Sequence, residues 1–197
     1  MMNNEEKSQL ANQVQTDVSL TSFLSVMSFF FIGALLPQFN SYDPSIKIPI
    51  SFLIVSAFAL IFSALILSNA TQIINKGDLP KIEKHLSYGY AISEYMGVFL
   101  LVLSVPVAMG IITSDPYLRV VTFATAIAGI SVYQFGGFSL LGSHFSKSET
   151  LFAVLVVLSG SILFLSQILA FHFMVISTLF LLLLVVITIL APIKSFQ

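Results

Sequence analysis

Apolar and polar positions along the chain alternate in long blocks rather than residue by residue. Val18 to Leu36 is the first apolar run, and Pro37 closes it. A turn-rich stretch, Asn40-Ser41-Tyr42-Asp43-Pro44, separates it from a second run with Pro49 in its first turn. That run extends through Leu67 and can continue to Lys76, with Gly77 placed for a left-handed C-terminal cap. Asp78 is the expected N-cap of a third helix, with Pro80 in its first turn and an apolar part from Leu86 to Ile112. Pro106 lies inside it and is expected to kink it. Asp115-Pro116 is a strong start signal for a fourth helix, expected to run to about Leu141 through Gly136 and Gly137. Ser146 and Glu149 have the spacing of a capping box ahead of a fifth.

Leu151 to Leu190 is then almost unbroken apolar sequence. As one helix it would be roughly 60 Å long, about twice the hydrocarbon thickness of a bilayer. It must fold back, and Gln167 to His172, polar at both ends, is where the turn is expected although neither Gly nor Pro marks it.

The pattern predicts an all-α, polytopic transmembrane helical bundle. Its six spans fall at about 18–36, 49–70, 86–112, 117–141, 150–167 and 172–191, within a membrane domain of 18–192. Residues 1–17 read as a polar segment, either disordered or an interfacial helix on which Leu10, Val14 and Val18 share a face; 193–197 read as a short tail. The basic n-region of a secretory signal is missing from that polar segment.

Composition agrees with this class. Hydrophobic residues make up 57% of the 197 and charged residues 9%, against about 25% charged in soluble domains. Six spans of roughly 20 residues use about 120 positions, which leaves short loops and no separate soluble domain. The net charge of -1 without a long basic run argues against nucleic-acid binding. Cysteine is absent, which excludes disulfides and thiolate chemistry.

Charge also sets an expected orientation. With six spans, Lys7, Lys76, Lys81, Lys84, Lys147 and Lys194 fall on one side, and Lys47 and Arg119 on the other. Six against two predicts both termini in the cytoplasm of a cell-membrane protein. Tyr42 and Tyr117 then mark the outer interface.

Candidate chemistry is sparse. Glu94 is the one acid read inside a span, about eight residues and so roughly 12 Å past the inner boundary. An ionised carboxylate is costly there, so it should be protonated, paired or facing water. Tyr133 and Gln134 fall at nearly the same depth, so that Glu94, Tyr90, Tyr133 and Gln134 can form one polar patch; the competing reading gives each its own partner in helix packing. Gly89, Ser93 and Gly97 form a small-residue stripe for close helix approach, within the subunit or between subunits. His85, His144 and His172 lie at membrane boundaries on different sides, so no metal site is expected. No cofactor is implied and no catalytic motif is present.

Two functions are compatible with these residues. One is a small transporter or channel, proton-linked or not, with Glu94 as the titrating group and a water-accessible cavity beside it. The other is a non-catalytic accessory or scaffold subunit that binds another membrane protein or a second copy of itself, with the lipid bilayer as its constant partner. An intramembrane enzyme acting on lipid ranks third, because acid, base and nucleophile are not assembled.

Overall fold

The computed structural model describes residues 4–41, 43–76, 78–135 and 147–194. Among them the chain is all helical, with no strand. Six long helices follow one another: α1 Asn4–Leu35, α2 Lys47–Lys76, α3 Leu79–Ile112, α4 Pro116–Phe135, α5 Lys147–Ile168 and α6 Phe173–Lys194. Short 3-10 turns, Leu36–Ser41 and Pro44–Ile46, join α1 to α2. Five helices are long and apolar enough to cross a membrane, and α5 adds a shorter apolar stretch, Val154–Ile168.

Local chemistry sets several of the helix ends. Asp43 caps the Pro44 turn by accepting from Ser45 N at 2.7 Å. Asp78 caps α3 through Lys81 N. Asp115 Oδ1 accepts from Tyr117 N at 2.8 Å and Leu118 N at 3.1 Å ahead of α4, as the Asp-Pro signal predicts. The helix stays helical on both sides of Pro106. The expected end of the fourth span at Leu141, the Ser146–Glu149 capping box and His144 lie outside the described residues.

The fold-back falls inside the expected segment. Helix α5 stops at Ile168 and α6 starts at Phe173. Phe171 N donates to Ser166 O at 3.0 Å and Ala170 N to Gln167 O, the paired bonds of a Schellman ending. Ala170 occupies the left-handed position, with φ of 50°, where glycine is usual. His172 is left-handed too, at 46°. The turn is legible by length and not by residue type, because alanine does the work of a glycine.

From Asn4 onward the polar N-terminal segment forms the first half of α1, continuous with the apolar run. Packing explains this. Val14, Asp17, Thr21, Ser25, Ser28 and Ile32 recur every three or four residues and are all buried. This stripe lies along α2, where Ser25 Oγ donates to Ala57 O at 3.2 Å and Ser28 meets Ser56 at 3.4 Å. Opposite it, Phe23, Val26 and Phe30 point outward, as lipid contact requires.

The centre of the bundle is α3, which packs against every other helix. Its Tyr95, Phe99 and Leu103 join Phe52 of α2, Leu163 of α5 and Leu184 of α6 in the main core. A second cluster holds Val14, Leu67, Ile74, Ile82 and Tyr90 of α1, α2 and α3.

Candidate functional site

Midway along α3 the backbone changes. Residues Ile92–Val98 form a π segment, in which Phe99 N reaches back five residues to Glu94 O. A π turn carries one extra residue per turn and leaves the surrounding α ladder displaced, a feature frequent at functional sites. The segment packs against α1, α2 and α6.

Glu94 lies in this segment, and none of its surface is exposed. Ser93 and Tyr95 on either side are equally enclosed. Ser93 Oγ has no hydrogen-bond partner among the described residues, nor does Gln134 Oε1, although Gln134 is buried at the end of α4. Buried polar atoms left without a partner cost about 1–3 kcal/mol each.

Tyr90 lies one turn before Glu94 and is directed elsewhere. Its hydroxyl donates to Asp17 Oδ2 of α1 at 2.7 Å, with both residues buried. Tyr133 meets Phe99 edge to face at 6.3 Å, and Phe99 meets Tyr95 at 5.6 Å. The structure has Tyr90 and Glu94 on α3 and Tyr133 and Gln134 on α4, with Glu94 and Gln134 buried. It adds Asp17, which sequence reading assigned to the polar N-terminal segment. The signal was there: Asp17 falls in register with the stripe that runs from Val14 to Ile32.

The small-residue stripe works inside the chain. Ser63 Oγ donates to Gly89 O at 2.8 Å and Ser56 Oγ to Gly97 O at 2.8 Å, both from α2. A Cβ at Gly89 would stand 2.7 Å from Leu67 Cδ2, and one at Gly97 would stand 2.6 Å from Leu60 Cδ2. The two glycines are what lets α2 approach this closely.

A cavity of about 570 Å³ lies at the end of the bundle where the α1–α2, α3–α4 and α5–α6 connections gather. Asp43, Ser45, Arg119, Gln167 and His172 supply its polar lining. Gln167 Nε2 donates to Val107 O at 2.8 Å, an approach that Gly110 permits because any Cβ there would strike the amide. No group of three metal-ligating side chains occurs among the described residues. The chain matches no protein-family model, no curated protein and no solved structure.

Proposed function

We propose that the chain is a six-span protein of the cell membrane, with both termini cytoplasmic, and that it works as a small proton-linked transporter or channel. Helix α5 counts as the sixth span because its 22 residues extend about 33 Å by helical rise, enough for the hydrocarbon core. The excess of lysine on one side supports the orientation.

One observation carries the transport reading: two carboxyl groups, Glu94 and Asp17, are buried deep in a bundle whose central helix changes to π geometry at one of them. A carboxyl enclosed in this way is stable when neutral or hydrogen-bonded and becomes costly when ionised. It therefore couples proton occupancy to whatever motion lets water in. Full enclosure of Glu94 corresponds to an occluded state, and the cavity at the Asp43–Arg119 end is a vestibule facing outward. The reading assigns no catalytic residue, metal or cofactor.

The test is flux in proteoliposomes containing the purified protein and a pH-sensitive dye. Proton or ion flux above empty vesicles is expected, with a fall of at least tenfold in Glu94→Gln. Unchanged flux in that variant would remove Glu94 from the mechanism. A second reading, a non-catalytic accessory or scaffold subunit, draws support from the complete enclosure of Glu94. The use of the Gly89–Ser93–Gly97 face within the chain weighs against it. A stable partner co-purified from native membranes, with no flux by the isolated protein, would favour that second reading.

A further inference from the structure

The cavity at the end of the bundle is lined by two side chains of opposite charge, Asp43 and Arg119. Among the described residues no ion pair joins them within 4.0 Å. Each is instead held from its own side. Asp43 Oδ1 accepts from Ser45 N at 2.7 Å, within the turn that starts at Pro44. Arg119 Nε donates to Thr113 O at 2.7 Å, across the α3–α4 connection. The guanidinium is thereby fixed through one nitrogen, and its two terminal nitrogens make no hydrogen bond among the described residues. Gln167 Nε2 is committed to Val107 O, which leaves Oε1 as an acceptor in the same lining.

Two opposite charges that share one concavity without neutralising each other form a complementary pair of subsites. The free edge of a guanidinium binds a carboxylate or phosphate oxyanion through two parallel bonds. A carboxylate with a nearby amide oxygen accepts the N–H bonds of a primary ammonium. The volume of about 570 Å³ lies within the range of small-molecule sites, roughly 300–1,000 Å³.

We propose that this cavity binds a small zwitterion, with its oxyanion on Arg119 and its primary ammonium between Asp43 and Gln167. Hydrogen bonding from Ser45 holds the Asp43 carboxyl below its usual range, so the acid is charged at neutral pH. The same chemistry is offered by a free aminophosphate or amino acid and by the headgroup of an aminophospholipid. The inference concerns binding and rests neither on the transport reading nor on the span count.

The full chain, purified in detergent, is titrated calorimetrically with phosphoethanolamine and with N-acetyl-phosphoethanolamine, which keeps the oxyanion and loses the ammonium. The acetylated form is expected to bind about tenfold more weakly, roughly 1.4 kcal/mol. Arg119→Gln is expected to weaken both ligands at least tenfold. Asp43→Asn is expected to weaken phosphoethanolamine alone, a split that general misfolding does not produce. Competition then separates the sources. Displacement of phosphoethanolamine by nanodiscs of phosphatidylethanolamine, and not by phosphatidylglycerol, identifies the headgroup; no displacement by either identifies a free solute. The proposal is overturned if neither the free zwitterion nor the lipid binds, or if a folded Arg119→Gln binds phosphoethanolamine as the unmodified protein does.

Discussion

Tyr90 of α3 donates a hydrogen bond of 2.7 Å to Asp17 of α1, across 73 positions of sequence, and both partners are buried. The bond ties the polar first half of α1 to the central helix and removes the cost of an unpartnered acid at that depth. Tyr90→Phe strips Asp17 of its donor while keeping the ring in place. A loss of about 1–3 kcal/mol is expected, read as a fall in the thermal unfolding midpoint in detergent. The double-mutant cycle with Asp17→Asn should yield a coupling of about 0.6–1.7 kcal/mol, the range for hydrogen bonds between membrane helices. Additive effects would show that the bond contributes nothing.

Gly97 and Leu60 test the closeness of α2 and α3. Leu60 is fully buried, so it has little room to retreat from a Cβ at Gly97. Gly97→Ala is expected to destabilise the fold by about 1–3 kcal/mol through overpacking. Adding Leu60→Ala should recover part of that loss, and Leu60→Ala without the glycine change should destabilise through a cavity. The sign reversal between the two backgrounds is the readout.

Ala170 ends α5 in a conformation that side chains resist. Ala170→Gly removes the clash, and a gain of up to about 1 kcal/mol is expected. Ala170→Val, with a branched side chain at the same φ, should lower the unfolding midpoint. If the glycine variant were less stable, the left-handed turn would be refuted.

Asp43 provides a pH test outside the spans. Hydrogen bonding from the Ser45 side chain, and then from its backbone, places the folded carboxyl below the ordinary 3.8. A depressed folded value adds stability above that ordinary value, and the contribution is lost as pH falls through the folded one. The acid limb of a stability profile should therefore flatten in Asp43→Asn, by a small amount because the group is exposed.

The sequence alone made legible the apolar helices, the starts of α3 and α4, and the fold-back of the last run. Those depend on local causes: aspartate and proline at helix starts, apolar runs matched to a bilayer, and a last run too long to be one span. The fold-back between Gln167 and His172 was readable from length even though its left-handed residue is an alanine.

Tertiary structure decided everything that depends on which helix faces which. Asp17 reads as one charge of a polar segment until α2 and α3 enclose the stripe from Val14 to Ile32. Gly89 and Gly97 read equally as an interface between subunits until Leu67 and Leu60 fill the space before them. The π segment around Glu94 leaves no mark on hydropathy, because one extra residue in a turn changes facing and not composition. Asp43 lies in the α1–α2 connection and Arg119 in the first turn of α4, and the two come to line one cavity only when the ends of the bundle assemble. Apolar burial in a bilayer is non-directional and can be summed along the chain, whereas polar pairing and close packing are set by partners distant in sequence.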